Sequence, residues 1–276
     1  MKALCMLIGL LFMQLEIAWS RPIVDSGNSG STQKSRFIKN TIDAYILEFS
    51  NNDTVLNDIQ YIIQKAFNDD IVNKNVKALT SLETSLEQDG GKDVNLNNYW
   101  IAYINCLKTI VAQQQKDSAT AKASDEKGIK LLERNETKGA EDYALLALLR
   151  GLSFPFASAG EEMNIYYEIE HLLTNGLGLD KKNVRLQYVQ AVLDFYTPSE
   201  YGGGYKAEKL LINAIEWPET NIDNPQLPTW GKEEAYDFLV QYYLRENKKE
   251  SAKKYFKEGI FNFPNSTIIL RHKASF

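Results

Sequence analysis

"ESAKKYFKEGIFNFPNS", residues 250–266, decides how the rest of the chain is read. Ala252, Phe256 and Gly259 stand at i, i+4 and i+7, one stripe of a helix. Pro264 follows, and a proline cannot continue a helix because it lacks the N–H and its ring collides with the preceding turn. Small residues at both ends of a stripe let two helix backbones approach closely, and one large ring fills the hole between. Tyr236, Leu239 and Tyr243 form the matching stripe on the preceding helix. Two such helices make a hairpin, and a hairpin with apolar surface left over must pack on a neighbour.

The second-helix stripe recurs upstream at Ala207, Leu211 and Ala214. There the first helix, expected from Val184 to Tyr196, is separated from the second by the insertion "TPSEYGGG", residues 197–204. With these residues in place, the segment 233–266 resembles a tetratricopeptide repeat, a helix–turn–helix unit of roughly 34 residues. Tyr236 takes a position where that family usually has Trp, while Leu239, Tyr243, Ala252, Phe256, Gly259 and Pro264 fit. Val240 departs from the usual small residue, and Asn247 from a common glycine. The segment from "YTPSEYGGG" to "KKYFK" also resembles exported, uncharacterised repeat proteins of Bacteroidetes-type bacteria. The resemblance implies an all-α fold, a right-handed α–α superhelix of about five helix hairpins. It also implies a concave groove that receives a protein or peptide partner in the cell envelope.

Helical period extends far beyond the motifs. Stripes run through Phe37–Ile46, Ile59–Phe67 and Val76–Leu86, the last stopped at Gly90-Gly91. Tyr99, Tyr103, Leu107 and Ile110 mark another helix, and Gly128, Leu131 and Leu132 the end of the next. "YALLALLRGL", residues 143–152, is apolar almost all round and predicts a helix buried on several sides. Ser158 and Glu161 have capping-box spacing ahead of a helix that Gly176 and Gly178 are expected to end. Thr229 is the expected N-cap of the helix bearing Tyr236. No segment alternates at period two, so no sheet is expected.

The N-terminus reads as a signal peptide: Lys2, an apolar stretch from Ala3 to Met13, and Ala18-Trp19-Ser20 before a cleavage at Arg21. Residues 21–35 read as a flexible leader and 36–276 as one helical domain. Cleavage removes Cys5 and leaves Cys106 without a partner for a disulfide. No later segment is apolar enough to span a membrane. The chain has 276 residues, 44% hydrophobic and 24% charged, with net charge −5. That acidic balance argues against a nucleic-acid partner.

Catalytic chemistry has little to stand on. Two histidines, His171 and His272, exclude a His-rich metal site, and His171 reads as a helix-surface residue. Cys106 reads as a buried small hydrophobe. Gly202-Gly203-Gly204 precedes a helix, where an anion can bind, but lacks the P-loop Lys-Ser and reads as a tight turn. Glu161-Glu162 and Glu233-Glu234 suit first helical turns, where they complement the dipole. A non-catalytic protein with no cofactor and no metal is therefore expected. Aromatic residues are the surplus: 15 Tyr, 12 Phe and 4 Trp. In the pairs Tyr99-Trp100, Tyr166-Tyr167 and Tyr242-Tyr243, neighbours point about 100° apart, so one member is expected in the core and the other at a groove. Tyr196, Tyr201 and Trp230 flank the insertions and are the expected binding contacts. The alternative function is a small-molecule or glycan binder with an aromatic-lined pocket near 198–204. Short N- and O-glycosylation patterns at Asn52, Asp53, Asp117, Asn135 and Asn265 decide nothing.

Overall fold

The computed structural model describes residues 59–276 apart from 91, 92, 159, 200, 201 and 220. The expected signal peptide, leader and Phe37–Ile46 stripe, and the contact residue Tyr201, lie outside the described residues. The described residues form eleven α-helices and no strand. They are α1 (Ile59–Asn73), α2 (Lys77–Asp89), α3 (Val94–Gln114), α4 (Ser118–Glu133), α5 (Ala140–Leu152) and α6 (Glu161–Leu179). Then come α7 (Val184–Tyr196), α8 (Ala207–Glu216), α9 (Lys232–Arg245), α10 (Lys249–Asn262) and α11 (Thr267–Leu270). Short 3₁₀ turns follow α5 and α11. Among these residues no helix is long and apolar enough to cross a membrane.

Consecutive helices pack in pairs, α1 with α2, α3 with α4, and so on to α9 with α10. The odd-numbered helices also touch one another in chain order, from α1 through α3, α5 and α7 to α9. Three of the five pairs are joined by the same turn. Lys74, Lys116 and Asn247 each take a left-handed conformation there. The next residue's N–H then donates to the carbonyl five residues back, Asn75 to Asp70, Asp117 to Ala112 and Lys248 to Tyr243. That bond satisfies a carbonyl which the helix end leaves without an intrahelical partner. Asn247 thus adopts the backbone a glycine would favour, because asparagine tolerates that region.

Small residues sit where helices come closest. A Cβ on Gly176 would lie 2.8 Å from Leu186 of α7 and 3.0 Å from Tyr143 of α5. One on Gly259 would meet Ile269 at 3.0 Å and Tyr236 at 3.1 Å. Gly176 therefore does not end its helix, as the sequence suggested: α6 runs on through Gly178 to Leu179. Two caps also differ from expectation. Gly231, not Thr229, precedes α9, with Glu234 reaching back to the Gly231 N–H at 2.7 Å. Gly160 precedes α6; Glu161 does reach back to the Ser158 N–H at 2.7 Å, as its spacing suggested, but the Ser158 hydroxyl donates to the same carboxylate instead of capping the backbone.

α5 is buried as predicted, but α3 is buried more completely, at every residue from Tyr99 to Ala112. Its polar members are tied down. Lys108 and Asn105 reach Glu83 of α2 at 2.6 and 2.7 Å, and Lys127 of α4 reaches the same carboxylate at 2.6 Å. Burial alone would raise the Glu83 carboxyl, yet these partners outweigh it and hold its pKa below the ordinary value.

Candidate functional site

The connection from α8 to α9, residues 217–231, is long and does not form a tight turn. It folds back over the odd-numbered helices and is fastened there by side chains from distant parts of the chain. Gln60 Oε1 on α1 accepts from the N–H groups of Thr229 and Trp230, at 2.8 and 3.1 Å. The Trp100 indole on α3 donates to the Gln226 carbonyl at 2.9 Å. Arg185 on α7 is fully buried, with its Nε and Nη2 forked onto Glu141 of α5 at 2.6 and 2.8 Å and its Nη1 on Glu219 of the loop at 2.6 Å. Asn221 joins the cluster, donating to Glu141 and to the Pro228 carbonyl. Burial would lower the arginine's pKa, but the bidentate Glu141 and the single contact from Glu219 shift it upward, so the guanidinium stays charged.

At the end of this segment the Trp230 side chain enters an aromatic pocket. It stacks on Tyr103 at 5.6 Å and meets Tyr188 edge-on at 6.1 Å. Its indole N–H donates to the Tyr99 hydroxyl at 2.8 Å. Beside it lies a cavity of about 40 Å³, bordered by Cys106, Leu107, Leu152 and Val192 as well as the two tyrosines and Glu234. That is room for about one water molecule. Glu234 accepts from the Gly231 N–H at 2.7 Å, and burial, with Glu233 alongside, pushes its carboxyl up to about 7. From this pocket edge-to-face contacts continue through Phe238 to Phe195 and Tyr196, where Arg245 caps Phe195 at 3.8 Å.

The chain matches no protein-family model, no curated protein and no solved structure.

The sequence-derived contacts therefore find other places. Trp230 is 3% exposed and Tyr196 5%, both part of this aromatic interior instead of a surface. The reason is the loop's path: it turns inward, and carries Trp230 between α3 and α7. The expected split within aromatic pairs does not occur. Tyr99-Trp100 and Tyr242-Tyr243 are buried together on odd helices, which have neighbours on several sides. Tyr166-Tyr167 are exposed together on α6, with Tyr167 at 64%. Residues that periodicity did not single out, Gln60, Arg185 and Glu141, organise the site, and of the residues that fasten the segment only Trp230 and the Tyr99-Trp100 pair are candidate contacts in the sequence.

The N–H groups that follow the glycine turn at 202–204 are engaged within the chain. Asp194 Oδ2 already accepts from the N–H groups of Lys206 and Ala207 at the start of α8, both at 2.8 Å. A Cβ on Gly203 would collide with the Thr197 carbonyl, so the triplet is the tight turn its composition suggested. None of the residues bordering the Trp230 cavity belongs to this turn.

Other polar clusters serve cohesion. Asp237, fully buried on α9, receives Arg271, His272 at 2.6 Å and Gln241 at 2.8 Å, which fastens the C-terminal turn. His171 is exposed on α6 and faces Asn175. Cys106 is buried, and burial pushes its thiol far above the ordinary range, so it stays protonated and unreactive. Among the described residues no group of three or more His, Cys, Asp or Glu is placed to hold a metal.

Proposed function

We propose that this protein is a non-catalytic, exported binding module of the cell envelope, built as a tetratricopeptide-like, right-handed stack of about five hairpins. Its ligand is a protein or peptide, and its binding face is the one formed by the odd-numbered helices. Export follows from the signal-peptide pattern of residues 1–20. The repeat reading draws support from the pairing of consecutive helices, the three equivalent turns and the close-packed glycines.

One observation carries the functional reading. Side chains from α1, α3 and α7 are arranged to bind the main chain of an irregular segment, with an aromatic pocket for its side chain. Main-chain hydrogen bonds joined to side-chain pockets are how extended peptides are held at sheet edges, and deep aromatic anchors dominate interface energies.

The test is a pull-down with residues 21–276 against envelope extract of the native organism, followed by cross-linking of the captured complex. A dominant envelope protein, recovered repeatedly and cross-linked to residues 217–231 or the exposed face of α1 around Tyr61, is the expected result. If nothing specific is recovered while a glycan or metabolite panel raises the melting temperature, the small-ligand reading replaces this one.

A further inference from the structure

We propose that the face under residues 217–231 is a receptor for a tryptophan-bearing peptide strand, and that Gln226–Trp230 of this chain occupies it in cis until such a strand displaces it. This rests on the binding-module reading and names the ligand class of that same face.

The contacts divide by what they require of an occupant. Gln60 and Trp100 bind only main-chain N–H and C=O groups, and Arg185 lies 3.4 Å from the Trp230 carbonyl. Any strand with the right backbone satisfies them. The indole is the selective element: a flat ring is needed between Tyr103 and Tyr188, and an N–H donor is needed at the Tyr99 hydroxyl. Tyr and Phe fill the slot less completely, since a phenyl ring has no N–H and a phenol places its donor elsewhere.

The cis occupant is held in a manner suited to exchange. The segment that leads into it, Ile222 to Pro225, is exposed, Ile222 at 73%, while Pro228 and Trp230 of the occupant are buried. Upstream of the occupant the chain is fastened by polar contacts, from Glu219 and Asn221 to the Arg185–Glu141 pair, and a competitor or water can replace hydrogen bonds of that kind. The pocket extends past Trp230 into the cavity of about 40 Å³ bordered by Cys106, Leu107 and Val192, so the indole does not span the whole of it.

The experiment uses the full chain as wild type, W230A and W230F, with a fluorescent peptide of sequence Gln-Leu-Pro-Thr-Trp-Gly and its Trp→Ala control. W230A empties the indole slot, the selective part of the site, and leaves the cis main chain only its backbone bonds to Gln60 and Trp100. The peptide is expected to bind W230A at least about tenfold more tightly than wild type, because apparent affinity scales with the fraction of molecules whose site is open. Free indole is expected to raise the melting temperature of W230A and leave wild type unchanged, and the control peptide not to bind. Folded W230A or W230F that binds neither peptide nor indole overturns the proposal. So does failure of both variants to fold, which makes the indole a fixed part of the core. A wild-type dimer that forms with concentration and vanishes in W230A also overturns it, since the occupant is then a second copy. The two readings fail separately. A partner captured equally by wild type and W230A leaves the binding module standing without this site, and peptide binding without any captured partner does the reverse.

Discussion

Asp125 lies in α4 between Ala121 and Gly128, with the spacing that Ala252, Phe256 and Gly259 have in α10. An acid thus stands where a phenyl ring packs. Ser153 bonds one oxygen at 2.5 Å, and the other, Oδ1, has no hydrogen-bond partner. Burial pushes the carboxyl up to about 7 against the pull of Ser153 and Arg150, with Glu126 adding to the rise. A carboxyl raised in the folded state keeps its proton longer than in the unfolded chain, so it favours folding less as pH climbs. The loss begins near the unfolded value of about 4 and is complete just above 7, on the order of 3–4 kcal/mol. Asp125→Asn should therefore match wild type near pH 4 and be more stable at pH 8. Urea midpoints between pH 4 and 9 would show this; a difference that does not vary with pH would refute it. In the sequence "KASDEKGIK" gives no sign of this, because a charged run reads as a solvated face. Arg185 was hidden in the same way, since a buried charge is visible only through partners 34 to 44 residues away.

At the scale of the helix, α6 carries two glycines with opposite prospects. Alanine has the better helix propensity at both, by about 1 kcal/mol in a helix interior. At Gly176 the new methyl would be forced against Leu186 and the Tyr143 Cβ, whereas at Gly178 nothing lies within 4 Å. Gly176→Ala is expected to destabilise by about 1–3 kcal/mol, overpacking outweighing propensity. Gly178→Ala is expected to stabilise, by up to about 1 kcal/mol. Thermal melts of the two variants compare them directly, and equal shifts of the same sign would refute the packing account. Helices were the most legible feature of the sequence, because a 3.6-residue stripe survives local ambiguity. Their ends were less so. Gly176 looked like a stop signal, since nothing local distinguishes a glycine that ends a helix from one that another helix crosses. Thr229 looked like a cap because its residue type suits one, and nothing local shows that α9 begins only at Lys232.

For the whole molecule, the decisive contacts are those between α1 and the C-terminal third. Gln60 holds the 217–231 segment, and Asn68 meets Thr267 of α11 at 3.4 Å, across 199 positions. Gln60→Ala removes the acceptor of two backbone N–H groups and is expected to speed hydrogen exchange at Thr229 and Trp230 at least about tenfold. Amides in the middle of α9 should keep their protection. Uniform acceleration across the protein would instead mean that the segment is inseparable from the global fold. Aromatic richness was legible in the sequence, but not its direction. Which face Trp230 takes depends on a connection whose path is set by side chains on three other helices. The meeting of α1 with α11 and the 217–231 segment also bears on folding kinetics. An array that contacts only its neighbours can fold outward from any point, but this closure must wait until residues far apart in the chain are both made and placed. During synthesis the aromatic face of α3, with Tyr99, Trp100 and Tyr103, exists for more than a hundred residues before the segment that covers it emerges. The nascent chain is thus most prone to aggregate, and most in need of a chaperone, just before its last third is complete.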